Sequence, residues 1–119
     1  MLRPALNLRI RVMLGEHIAI GPGKVALLEA LRDTHSISAA ARSLGMSYRR
    51  AWLLVDEMNA ALRSPAVISA SGGQHGGGSE LTEVGLEIIR LYRRVEDQAL
   101  AANRDDIKQL LHLLRVSAA

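Results

Sequence analysis

The chain has 119 residues and a mass of 12.9 kDa, room for one domain, and its 49% apolar and 23% charged content excludes a disordered or fibrous protein. It has no Cys and no Phe, which excludes a disulfide scaffold, a Cys-ligated zinc site and a thiol nucleophile, and its aromatic residues, Tyr48, Trp52 and Tyr92, are too few for a deep aromatic pocket. The formal charge is +3 and the pI about 10, carried by thirteen Arg against two Lys, a bias that suits bidentate phosphate or carboxylate recognition.

In chain order, Leu6, Leu8, Ile10, Val12 and Leu14 alternate with Asn7, Arg9, Arg11 and Met13, the period of a half-buried strand. Gly15-Glu16 suits a type II′ turn into a second strand, His17–Ile20, and Gly21-Pro22-Gly23 punctuates the chain. Val25, Leu28 and Leu31, with Leu27, predict a first helix of about three turns that ends near His35. Ser36 or Ser38 caps a short second helix, Ala39 to Leu44, which Gly45 stops. Ser47 caps a third, Tyr48 to about Leu62, with Ala51, Val55, Met58 and Leu62 on one face.

After Pro65, residues 66–70 read as a short strand, Gly-rich 72–78 as a tip and Ser79–Leu81 as a returning strand. Thr82 caps a fourth helix whose stripe is Val84, Ile88, Leu91, Tyr92, Val95 and Ala99. Asn103, with Asp105 and Asp106 in the first turn, caps a last helix with Ile107, Leu110, Leu111 and Leu114 on one face. That face is too apolar for water, and packs on its own domain or on a second chain; a C-terminal extension of a small domain favours the second chain.

Two short helices joined by a glycine turn form a helix-turn-helix pattern, whose second helix enters the major groove and reaches base edges with its first residues. Ser47, Tyr48, Arg49 and Arg50 stand there, and residues 36–50 hold Arg42, Arg49 and Arg50 with no acid. Ala39, Ala40, Ala41 and Ala51 are small enough for the helices to cross closely. Arg49 and Arg50 can fork onto guanine or phosphate, and Ser36 and Ser38 can offer donors to phosphate. Trp52 lies at the edge of the apolar stripe, where it either packs against the second helix or lies beside DNA. Strand, Gly-rich tip and return strand make a wing, with Gly73, Gln74, His75 and Gly76 at its tip for the backbone or minor groove.

Taken together, Ser36-Ile37-Ser38-Ala39-Ala40-Ala41-Arg42, Gly45-Met46-Ser47-Tyr48-Arg49-Arg50-Ala51-Trp52, Asp56-Glu57-Met58-Asn59, the clustered glycines and Leu81-Thr82 carry a resemblance. Over roughly residues 6–100 the chain resembles the winged-helix DNA-binding domain of ModE-type molybdate-dependent transcriptional regulators, itself similar to that of LysR-type regulators. The resemblance implies a mainly α fold with a small β component, and a homodimer paired through the N-terminal strands and the long C-terminal helix on a palindromic operator. It makes residues 1–119 one winged-helix domain with a dimerisation segment at about 82–119.

Full-length relatives carry C-terminal oxyanion-binding domains for which 119 residues leave no room, so no cofactor and no molybdate binding are expected of this chain alone, and a separate effector-sensing protein is an expected partner. Family wings often carry a base among the glycines, where this chain has Gln74 and His75.

Other readings are weaker. Gly72–Gly78 is not followed by Gly-Lys-Ser/Thr, so it is no P-loop. His17, His35, His75 and His112 lack metal-ligand spacing, and Glu16, Glu29, Asp33, Asp56 and Glu57 form no catalytic pair, so no enzyme is expected. A protein-interaction module that keeps the fold without binding DNA is the alternative. No apolar run reaches the ~18–20 residues of a membrane span, and the N-terminus is no signal peptide, so a cytoplasmic protein without a membrane partner is expected.

Overall fold

A computed structural model of the chain describes residues 2–70 and 78–115. The elements run β1 (Val12–Leu14), β2 (His17–Ile20), α1 (Pro22–Thr34), α2 (Ile37–Ser43), α3 (Tyr48–Ala61), β3 (Val67–Ala70), β4 (Gly78–Leu81), α4 (Glu83–Ala102) and α5 (Arg104–His112). Two separate two-stranded antiparallel sheets, β1-β2 and β3-β4, accompany the helices. This is the mainly α winged helix-turn-helix expected from the sequence.

The first strand is shorter than its alternation predicts. Leu6, Leu8 and Ile10 are half-buried and Asn7, Arg9 and Arg11 exposed, so period two survives as a pattern of burial. Pairing, however, begins at Val12, opposite Ile20, because β2 runs only from His17 to Ile20 and offers residues 6–11 no partner. The arm is tied down instead by the Tyr92 hydroxyl, which donates to the Ile10 carbonyl at 2.8 Å. In the β1-β2 turn Gly15 has φ +61° and Glu16 does not have positive φ, as a type II′ turn requires.

Gly21-Pro22-Gly23 is where α1 begins. Pro22 fills a first-turn position where its missing N–H costs nothing, and Val25 N–H makes the first helical bond to the Gly21 carbonyl at 2.9 Å. The helix ends on His35 in the left-handed region (φ 57°), with its N–H on the Leu31 carbonyl. α1 is the central element, touching α2, α3, α4 and β4. It therefore buries two sides: Val25, Leu27, Leu28 and Leu31 are inaccessible, and Ala40, Ala51, Val55, Met58, Ile88 and Tyr92 close over them.

The β3-β4 ribbon pairs Val67 with Leu81 through Ala70 with Gly78, so Gly78 belongs to the strand and not to the tip. Its root is fastened by side chains. Asn59 Nδ2 donates to the Val67 carbonyl at 3.0 Å, and Asn59 Oδ1 accepts from Ala66 N–H at 2.8 Å and Val67 N–H at 3.4 Å. Thr82 Oγ1 donates to the Pro65 carbonyl at 2.7 Å and accepts from Gly85 N–H at 3.2 Å. Asn59→Ala strands these part-buried backbone groups, and an expected loss of about 1–3 kcal/mol in urea unfolding measures that clamp; unchanged stability would show that water replaces it.

The predicted stripe of α4 divides. Ile88 and Tyr92 are buried with Gly85 and Ile89, whereas Leu91 and Val95 are 46% and 51% exposed. Only part of the apolar arc faces α1; the remainder looks away from the domain. α5 buries no residue, with Ile107 and Leu111 half-buried and Leu110 55% exposed; Leu114, expected on the same helix face, lies past the helix end at His112 and is 52% exposed. Asn103 sits at the joint between the two helices but does not cap α5 with its side chain. Its Nδ2 donates back to the Ala99 carbonyl at 2.7 Å, an option available because the residue also closes α4. Across α1 and α4, Arg93 bonds Glu29 at 2.6 and 3.0 Å and Glu96 at 2.7 Å, and its guanidinium holds the Glu29 carboxyl below the usual range.

Candidate nucleic-acid interface

The α2-turn-α3 unit is built by local chemistry. Ser36 Oγ accepts from Ala39 N–H at 3.1 Å and so starts α2 at Ile37, two residues before the predicted start. Gly45, with φ +68°, makes the turn, and Met46 N–H returns to the Ala41 carbonyl at 3.0 Å. Ser47 Oγ accepts from Arg50 N–H at 3.1 Å and starts α3 at Tyr48. Ala40, Ala41 and Ala51 are buried at the junction, as close crossing requires; Ala39 is half-buried.

These contacts leave the first three side chains of α3 pointing away from the core. Tyr48 is 55% exposed, and Arg49 and Arg50 are exposed without a carboxylate within 4.0 Å among the described residues. Trp52 is half-buried against the core and meets Tyr48 edge-to-face at 6.2 Å and 84°, so one ring packs while steering the other outward. Ser38 and Arg42 are exposed on α2. The hydroxyls of Ser36 and Ser47 spend an acceptor on their own helices, and each keeps its proton to donate.

One residue of this face went unnoticed in the sequence. Leu53 is four positions after Arg49 and 49% exposed, an apolar side chain on the outward side of α3. Its signal was its spacing from Arg49, masked by the Leu53-Leu54 pair, of which Leu54 is the half-buried member. Asp56 and Glu57 then end the acid-free stretch about two turns into the helix, and both of the helix's arginines stand in its first turn. The tip residues Gly73, Gln74, His75 and Gly76 lie outside the described residues.

Among the described residues no group of three or more His, Asp or Glu side chains is placed to hold a metal ion, and no helix is long and apolar enough to cross a membrane.

No protein-family model matches the chain. It is 48% identical over 77 residues to the molybdenum-pterin-binding protein MopB of Rhodobacter capsulatus, a match that covers 65% of this chain and 28% of that protein. It is 33% identical over 108 residues to the transcriptional regulator ModE of Yersinia pestis, with 88% of this chain and 41% of that protein covered. Identity to the DNA-binding transcriptional dual regulator ModE of Escherichia coli K12 is 32% over 100 residues, 82% of this chain and 38% of that protein. The chain thus spans well under half the length of these relatives. Among solved structures, a LysR family transcriptional regulator superposes with a TM-score of 0.51 at 14% identity, over 70% of this chain and 27% of that one, a likeness of fold.

Proposed function

The chain is a winged-helix domain of the ModE type, and from that premise we propose that it is the DNA-binding unit of a transcriptional regulator. The observation that carries the proposal is the first turn of α3, where Tyr48, Arg49 and Arg50 stand exposed on a helix positioned by the glycine turn. Inserted in the major groove, that turn brings Arg49 and Arg50 to guanine edges or phosphates. Trp52 supports Tyr48 from behind, and Ser36, Ser38 and Ser47 donate to the backbone. The wing, with Gly73, Gln74, His75 and Gly76 at its tip, follows the backbone or the minor groove.

The functional unit is a homodimer on a palindromic site. The apolar side chains that the monomer leaves outside its core support this: Leu91, Val95 and Leu110 on α4 and α5, Leu114 just past α5, and Val12, Met13 and Leu14 on β1. Burying such side chains is worth ~1.5–3 kcal/mol each, and the unpaired edge beside residues 6–11 can take a second strand.

Recovery of bound genomic DNA tests the reading as a whole. Expected are enriched sites with two-fold symmetry and half-sites about 34 Å apart, together with a dimeric mass in sedimentation. Affinity is expected to fall about 10³–10⁵-fold between 50 and 200 mM salt for 6–10 phosphate contacts. A stable complex with another protein and no enriched DNA would instead make the chain an interaction module.

A further inference from the structure

Alongside α3, from Arg50 to Ala61, lies a cleft of about 840 Å³, walled also by the N-terminal arm, the β1-β2 hairpin and the start of α1. Arg9, Arg11, Lys24 and Arg50 line it, with Glu16, Glu57 and His17 as the other titratable groups. Lys24 is the buried cation, only 5% exposed. It stands in the first turn of α1, where the helix dipole opposes a positive charge. Its ammonium is satisfied by the Ile18 carbonyl and by Glu57 Oε2 at 3.3 Å.

Glu57, through one oxygen, offsets Lys24, and Glu16 is the other carboxylate of the lining, against three guanidinium groups. Arg9, Arg11 and Arg50 are exposed and have no carboxylate within 4.0 Å among the described residues. The start of α1 adds to the positive potential. Its first turn holds no acid, and the amides of Gly23 and Lys24 precede the first helical bond. Space for a Cβ at Gly23 is open, so nothing of the chain fills that corner.

We infer that this cleft binds a phosphate group through Arg9, Arg11 and Arg50. Guanidinium forks match phosphate oxygens in pairs, and the arginines line two walls of one cleft, the arm and α3. Arg50 belongs both to this cleft and to the face proposed for DNA. The phosphate therefore comes either from the duplex backbone, which extends the footprint from α3 onto the N-terminal arm, or from free phosphate, which draws Arg50 off the duplex. The first source rests on the DNA-binding reading above; the second does not.

The test is the Arg9→Ala/Arg11→Ala double variant of the full chain, with thermal melting first confirming a native fold. Duplex affinity is followed against salt, and inorganic phosphate is titrated in calorimetry without DNA. With a backbone phosphate, the slope of log affinity against log salt falls by about two per protomer, equally for specific and random duplexes. With free phosphate, the native chain shows saturable binding that the variant loses, while the variant's salt slope stays native. Either result supports the cleft as a phosphate site; a native slope together with no saturable phosphate binding overturns it. If the native chain binds no duplex, the proposed function fails by itself and the phosphate titration alone decides the cleft.

Discussion

Replacing Arg49 and Arg50 together with Ala is expected to weaken operator binding by about 30-fold to 10⁴-fold per half-site, from two lost bidentate contacts worth ~1–3 kcal/mol each. The protein should stay folded through this change. Both side chains are exposed and make no ion pair among the described residues, and the α3 cap uses the Arg50 backbone, which Ala supplies equally well. Electrophoretic or fluorescence titration at fixed salt reads the loss, and circular dichroism with thermal melting reads the fold. The two arginines can be separated by sequence preference: a base contact relaxes specificity at one position, while a phosphate contact weakens all duplexes alike. Native affinity in the double variant would remove the first turn of α3 from the recognition surface.

The second large effect concerns the joint between wing and α4. A Cβ on Gly85 would lie 2.4 Å from the Ala66 carbonyl oxygen, 3.3 Å from Leu81 Cβ and 3.4 Å from the Ala66 carbonyl carbon. That carbonyl cannot retreat freely, because it accepts Thr82 N–H at 2.9 Å. Gly85→Ala therefore forces α4 away from the root of β3, an overpacking penalty of about 1–3 kcal/mol, and moves the wing relative to the helix-turn-helix. In an ordinary helix position the same change stabilises by ~1 kcal/mol, so the sign of the urea-unfolding difference is the readout. A gain would show that helix and strand do not approach so closely.

Much of this architecture is legible in short-range chemistry. Ser36, Ser47 and Thr82 each cap the helix that follows, with the side chain bonded to the backbone N–H three residues on. Gly15 and Gly45 each occupy the positive φ that their turns demand. The acid-free run around Arg49 and Arg50 is legible for the same reason, since exposure at a helix start follows from the cap and the apolar face behind it. Where the sequence misleads, a missing or a competing partner decides. The arm at residues 6–11 alternates like a strand and finds no strand to pair with, and Asn103 has the position of a cap and bonds the previous helix instead.

What the sequence determined by itself is thus the order of elements, the serine and threonine caps that start α2, α3 and α4, and the chemistry of the reading helix, all settled by interactions within about four residues. What only the tertiary structure decided is which groups meet across elements: Asn59 at the root of the wing, Gly85 under the Ala66 carbonyl, and Tyr92 on the N-terminal arm. The division of the α4 stripe and the gathering of Arg9 and Arg11 beside Arg50 belong with them. Residue type announces that a side chain can pack or bond; the partner is chosen by how α1, buried on two sides, orients everything around it.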